Sequence, residues 1–369
     1  MSPTTKTLHH ENDLFANLQT AIELEHSTIP PYLTAMFTIN SETNPDAFHA
    51  IRGVVMEEML HMTLASNVLI AIGGHPAIDI PKFIPEYPVE LDFTERDFEV
   101  GLVKFSKDSL QIFLDIEYPG EQKVPELEED LEITRTTEIV IPGNTIGEFY
   151  ELVEKQLIEM CDDLGEKNVF VGNPKHQIGP EHYYGGGGEI IRVTDLETAS
   201  LAIKIIVDQG EGAPGSIWDD DEMFGQDKEV AHYFRFNEIM QERYYKEGDL
   251  PSEPPTGPPL PVKWNAVKNM VDNPRAEDFP EGSLAKEKAE EFNQLYSAFL
   301  HTLHDCFNGH PNDMRNAIGT MWQMKYLAEE LLNIEVPGTG GKVAGPTFQF
   351  VHKEHRVHVV KKHIVSPHH

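Results

Sequence analysis

Residues 54–76, VVMEEMLHMTLASNVLIAIGGHP, decide the fold. At about 100° per residue, Val54, Met62, Ala65, Leu69 and Ile72 form one apolar stripe, and Glu58 and His61 fall within it. Gly73-Gly74-His75-Pro76 is a helix stop, so the spacing predicts a helix from about Asp46 to Ile72. A carboxylate and an imidazole at i, i+3 share one helix face, one turn apart. On an inward face such a carboxylate must be paired, hydrogen-bonded or metal-bound, because its desolvation is otherwise too costly.

Working outward, residues from about Asn12 to Asn40 have helical spacing, with Leu18, Ala21, Ile22 and Ile29 defining a buried face. Glu25 lies in the middle of that face, Glu23 nearly opposite, and His26 at its edge. Pro30 and Pro31 lack amide donors and should kink or locally unwind this helix. A second Glu-x-x-His, Glu229-Val-Ala-His232, continues a stripe of Tyr233, Phe236 and Met240 on a helix expected from about Asp220 to Lys246. A helix from Thr145 to about Asp163 completes the set, opened by a capping box, Thr145-Ile-Gly-Glu148. Glu148, Glu151 and Glu154 compete there for an inward position, and its apolar face (Ile146, Phe149, Tyr150, Val153, Leu157) selects none of them well. Offsets from the helix ends favour Glu148, with Glu151 next, although Glu148 also reads as the cap.

Glu, Glu-x-x-His, Glu, Glu-x-x-His on four helices is the ligand pattern of ferritin-like di-iron and di-manganese carboxylate proteins. The sequence therefore predicts a mainly α protein, a ferritin-like four-helix bundle with two long insertions and additional C-terminal helices. Its metal ligands are expected to be Glu25, Glu58, His61, Glu148, Glu229 and His232. Mixed carboxylate and imidazole ligation suits two iron ions, with manganese the alternative; zinc sites more often close with fewer ligands and with thiolate. Tyr32, Tyr150 and Tyr233 lie on or near the inward faces and read as packed core aromatics.

Several stretches resemble the ferritin-like domain of iminophenyl-pyruvate dimer synthases. They include Leu24-Glu-His-Ser-Thr-Ile-Pro-Pro-Tyr-Leu33, Met56-Glu-Glu-Met-Leu-His61, Ala71-Ile-Gly-Gly-His-Pro76 and Thr145-Ile-Gly-Glu-Phe-Tyr150. Val193-Thr-Asp-Leu196, Gln209-Gly-Glu-Gly212 and Gly345-Pro-Thr-Phe348 extend the resemblance over about residues 8–350. Those synthases couple two tryptophan-derived imines in bisindole pathways such as violacein and rebeccamycin, within a much longer chain. The resemblance implies an oxidoreductase of secondary metabolism acting on a small, amino-acid-derived metabolite. Iron handling of the ferroxidase type, and a binding module without redox chemistry, are the rival readings.

The expected organisation is a bundle over 8–250 with insertions at 77–143 and 164–222. A proline-rich linker and C-terminal helices follow over 251–350, then a tail, 351–369. A helix is expected near Ser106–Ile116, another over Leu196–Gln209 capped by Asp195, and two more over about Ser283–Asn308 and Pro311–Leu332. Glu189–Val193 and Phe348–Val351 read as strands, and Tyr183-Tyr-Gly-Gly-Gly-Gly188 as a flexible lid hinge without a phosphate-binding lysine motif. The tail histidines His352, His355, His358, His363, His368 and His369 read as solvated.

Net charge is −33 from 62 acidic and 29 basic residues in 369, which argues against nucleic acid and anionic membranes as partners. The expected partner is a small-molecule substrate, and a homo-oligomer is compatible with the sequence. The first residues carry no apolar signal region, and Cys161 and Cys306 are the two cysteines, so a cytoplasmic protein is expected, with a lone disulfide one option for the pair.

Overall fold

The structure is a computed structural model that describes residues 3–93, 96–120, 138–183, 186–219 and 228–352, with side chains described from residue 14 onward. The histidines of the expected tail beyond His352 lie outside the described residues, as do Tyr184 and Gly185 of the expected hinge.

Helix α1 (Pro3–Thr38) buries Leu14, Leu18, Ala21 and Ile22, the spacing of a single inward face. It runs through Pro30 and Pro31 as one continuous helix, so the expected unwinding does not occur. The carbonyl that Pro31 cannot pair, that of Ser27, instead accepts the Tyr87 hydroxyl at 2.7 Å. Helix α2 (Pro45–Ala71) starts with proline in its first turn, where the amide is not needed. It stops at Gly73, whose φ of +89° returns its amide to the Ile70 carbonyl at 3.0 Å. By length and composition α2 could cross a membrane, but 89% of its most apolar window is buried inside the fold.

The first crossover carries a three-stranded sheet and helix α3 (Lys107–Ile116), capped by Ser106. Strand β1 (Val89–Phe93) is central. It pairs antiparallel with β2 (Asp97–Val100), Leu91 facing Phe98, and parallel with β3 (Glu138–Ile141), Leu91 facing Ile139. Helix α4 (Ile146–Leu164) starts at the expected Thr145 cap, whose side chain accepts the Glu148 amide at 3.0 Å. A short turn of helix, α5 (Glu166–Val169), leads to an irregular stretch in which Glu189–Val193 forms no strand. Helix α6 (Leu196–Glu211) is capped by Asp195, and helix α7 spans His232–Gln241.

The four helices that close the bundle are α1, α2, α4 and α6: α1 packs on α2 and α4, and α6 on α2 and α4. The sequence had suggested that the fourth bundle helix runs from about Asp220 to Lys246. Residues 220–227 of that expectation lie outside the described residues; from residue 228 to Lys246, helix is found only over α7, His232–Gln241, which packs mainly on α3. The physical reason lies at Val230, which bridges to Trp218, and at Ala231, which is extended (ψ 162°). Extended backbone at Ala231 keeps Glu229 and Val230 out of α7.

Beyond the proline-rich stretch, helices α8 (Leu284–Phe307) and α9 (Met314–Leu331) pack on each other, and α8 touches α2. The proline-rich stretch acts as a clamp: Leu260 returns its amide to Glu242, and Tyr244 to Pro258. Phe348–Val351 forms no strand; its backbone is tied to α8, with the Gln349 amide on the Asn293 carboxamide at 2.9 Å. Cys161 and Cys306 are both buried free thiols, so the optional disulfide is absent.

The irregular stretch after α5 is anchored by a few buried amides. Asn67 of α2 receives the Ile178 amide (3.1 Å) and donates to the carbonyls of Ile178 (2.8 Å) and Ile191 (2.9 Å). Its truncation would leave three buried backbone groups without partners, each costing about 1–3 kcal/mol. Asn67→Ala should therefore lower stability by at least ~2 kcal/mol, read as a lower urea midpoint; an unchanged midpoint would refute the anchoring role.

Candidate metal centre

Three carboxylates and two imidazoles meet inside the protein. Glu25 comes from α1, Glu58 and His61 from α2, Glu117 from the C-terminal cap of α3, and His232 from the first position of α7. Each is 2% exposed or less. His61 Nδ1 lies 3.6 Å from Glu25 Oε2 and 3.9 Å from Glu58 Oε1. His232 Nδ1 lies 2.9 Å from Glu58 Oε1 and 3.4 Å from Glu117 Oε2. The two rings stack at 5.3 Å between centroids. Glu58 thus stands between two half-sites, Glu25 with His61 and Glu117 with His232.

Every group in this cluster is held from behind. Tyr150 donates to Glu25 and Tyr32 to Glu117, both at 2.6 Å, and Thr28 donates to Glu58 at 2.7 Å. His61 Nε2 meets the Gln209 side-chain oxygen at 2.9 Å; the Gln209 amide nitrogen is bonded to the Gly187 carbonyl, which sets the carboxamide's orientation. His232 Nε2 meets Glu57 at 2.7 Å, and Arg235 pairs with the other oxygen of Glu57 at 2.9 Å. With Nε2 of both rings donating to these acceptors, both Nδ1 lone pairs face carboxylate oxygens.

That orientation is the test of whether a metal fits. A lone pair aimed at carboxylates is repulsive unless a cation or proton lies between them. His232 Nδ1, despite its 2.9 Å approach to Glu58, has no hydrogen bond of acceptable geometry. Without a metal, protons must fill the gap. Burial, together with Glu117 and Glu25 nearby, pushes the Glu58 carboxyl up to about 7. Burial opposes protonation of His61 and His232, but the surrounding carboxylates outweigh it and raise both. A cluster of oxygen and nitrogen donors that demands positive charge fits a divalent cation, and Glu58, His61 and His232 have ligand atoms within 4.8 Å of one another.

Of the residues expected from sequence, Glu25, Glu58, His61 and His232 come together here. Glu148 does not: it is exposed at the start of α4, accepting the Asn144 amide at 2.7 Å, and so serves as a cap. Glu151 is exposed as well. The place of a helix-three carboxylate is filled by Tyr150. Glu229 is also outside the cluster, 58% exposed and paired with Arg235 at 3.0 Å. Because α7 starts at His232, the Glu229–His232 pair lacks the helical spacing that would put both on one face. Glu117 went unnoticed in the sequence, although it continues the i, i+3, i+4, i+7 stripe of Leu110, Phe113 and Leu114. Gln209, which meets His61, stands on α6.

The model of the Ferritin-like family matches residues 18–241. Dichlorochromopyrrolate synthase from Lentzea aerocolonigenes is 25% identical over 334 residues; the match covers 82% of this chain and 30% of that protein. The chain thus spans less than a third of that relative's length. A crystal structure of a ferritin-like protein from Caulobacter vibrioides is 23% identical, with a TM-score of 0.52, covering 90% of this chain and 97% of that one. It has the same fold.

Glu117→Gln and His232→Ala should each lower bound metal, measured by plasma mass spectrometry, whereas Glu148→Gln and Glu229→Gln should leave it unchanged. The reverse pattern would place the ligands elsewhere. Because a metal must displace the protons held by Glu58 and by the two imidazoles, apparent affinity should fall as pH drops through about 7. Manganese titrations at pH 6 and pH 8 with equal affinities would contradict this.

Proposed function

This chain belongs to the Ferritin-like family, and from that premise we propose that its bundle holds two metal ions, iron with manganese the alternative, and oxidises an organic metabolite. The observation that carries the reading is the pair of buried Nδ1 lone pairs, each facing carboxylates, on either side of Glu58. Glu25 and His61 would hold one ion, Glu117 and His232 the other, with Glu58 shared. When bound, the ions supply a redox-active pair able to accept electrons from a substrate and pass them to dioxygen.

The chain's own residues set the conditions for this chemistry. Burial of all five ligands keeps bulk water out and strengthens every charge interaction inside. Gln209 and Glu57 keep the two imidazoles in the tautomer that offers Nδ1. Tyr150 and Tyr32 each keep a proton on the carboxylate oxygen turned away from the imidazoles; burial and the neighbouring carboxylates push both hydroxyls well above their ordinary range, so they remain donors. The similarity to dichlorochromopyrrolate synthase supports a biosynthetic oxidation rather than iron storage. An enzyme acting on a small molecule, without nucleic acid or membrane as partner, accords with the strongly acidic chain.

Anaerobic reconstitution with ferrous iron should give about two irons per chain. The Glu58→Ala, His61→Ala double variant should hold none. The reconstituted protein should consume little dioxygen by itself and more when a substrate is added. Failure to retain metal, with the fold intact by circular dichroism, would sink the reading. Sustained turnover of added ferrous iron without organic substrate would replace it with a ferroxidase.

A further inference from the structure

Between the outer faces of α1 and α2 and the inner faces of α8 and α9 lies a cavity of about 930 Å³. On α2 it reaches from Phe48 to Thr63. Fifteen helical steps at ~1.5 Å make the wall about 22 Å long, so the space is elongated. Seven of the chain's twelve methionines line it. Such a wall of unbranched, polarisable side chains adapts to the shape of an apolar occupant. At the inner end stand Phe292, Phe348, Tyr296 and His26, each 3% exposed or less. His26 and Tyr296 are bonded to each other at 2.8 Å, so their polar atoms are turned to one another.

The charged groups in the wall are unevenly matched. Of the two carboxylates in the wall, Glu57 is engaged by His232 and Arg235, and Glu229 by Arg235. Arg52 is exposed, lines the cavity, and has no ion-pair partner among the described residues. Lys325 lines it too, with Glu329 at the loose distance of 3.7 Å. In a chain of net charge −33, an apolar space with an exposed, unpaired arginine in its wall is complementary to an anion with an apolar body.

The cavity wall also supports the metal cluster. Glu57 orients His232, and the Gly187 carbonyl orients Gln209, which orients His61. Both supporting residues line the cavity. Gly187 is left-handed (φ +78°), and a Cβ there would come within 2.6 Å of the Glu57 amide, so the loop approaches α2 as closely as glycine allows. An occupant would therefore rest against the residues that aim both imidazoles.

We propose that this cavity is the binding site for an elongated, mainly apolar molecule carrying a carboxylate, with Arg52 receiving the carboxylate and the methionine-lined interior receiving the body. That such a molecule is the oxidised substrate rests on the metal reading above; its binding does not. The two therefore fail separately, since probe binding that survives the Glu58→Ala, His61→Ala double variant leaves the cavity assignment standing without the metal.

The test is a fluorescence titration of the full chain with 11-(dansylamino)undecanoic acid and, in parallel, its methyl ester. The acid should bind saturably, one per chain, with blue-shifted emission. Arg52→Gln should weaken the acid about three- to fivefold, the upper range for one exposed ion pair, and the ester less than twofold. Met59→Trp and Met321→Trp, which fill the cavity from opposite walls, should each abolish binding while circular dichroism and melting stay near wild type. Two blocking variants guard against one misfolding. Binding that is unsaturable, that survives either blocking variant in folded form, or in which Arg52→Gln affects acid and ester alike, would overturn the proposal.

Discussion

Three carboxylates buried together away from bulk solvent are the constraint on which this structure turns. Glu25, Glu58 and Glu117 are buried in one cluster, and each such charge costs several kcal/mol unless it is matched. Each therefore has a donor: Tyr150, Thr28 and Tyr32. The side facing the imidazoles is left for a cation. Every helix that reaches the cluster does so with a polar group that answers one of these charges or orients a partner that does. The core consequently has a polar centre within an apolar sheath that includes Leu60, Leu64, Phe149 and Phe236.

The same constraint explains why short elements matter more than their length suggests. Helix α3 contributes Glu117 only because it ends where it does, and α7 contributes His232 only because it starts there. Neither belongs to the four-helix ring. Both are pressed against it by apolar contacts: Phe113 of α3 and Phe236 of α7 pack on Tyr32 of α1. Tyr32 is thus at once a core aromatic, as the sequence suggested, and the donor to Glu117. The crossovers that carry these elements complete the site, and the C-terminal helices wall the cavity beside it.

The support of the cluster is shared with that cavity. Glu57, next in sequence to Glu58 but turned to the other side of α2, is both cavity wall and partner of His232. Successive residues on a helix point about 100° apart, so two adjacent glutamates can serve two compartments. Arg235 makes this tolerable: its guanidinium offsets Glu57 and reaches Glu229. Burial would raise Glu57, but Arg235 and His232 outweigh it and hold the carboxyl below its usual range, so it stays an acceptor for the His232 ring.

Sequence by itself determined the two long helices and the inward placing of Glu25, Glu58 and His61. An apolar stripe interrupted by Glu25, or by Glu58 and His61, turns those groups into the core, because side chains on a helix face are placed by local geometry alone. The caps at Ser106, Thr145 and Asp195 are local for the same reason, and so was the glycine stop after α2. Tertiary structure alone decided the other half of the site. Whether Glu229 points inward depended on whether helix begins before it, and the bridge from Val230 to Trp218, with extended Ala231, settled that against it. Whether Glu148 was ligand or cap depended on where α4 sits against the bundle, which spacing does not encode. Glu117 lay on a readable stripe, but its meeting with His232, across 115 positions of chain, is a packing outcome that no local pattern contains.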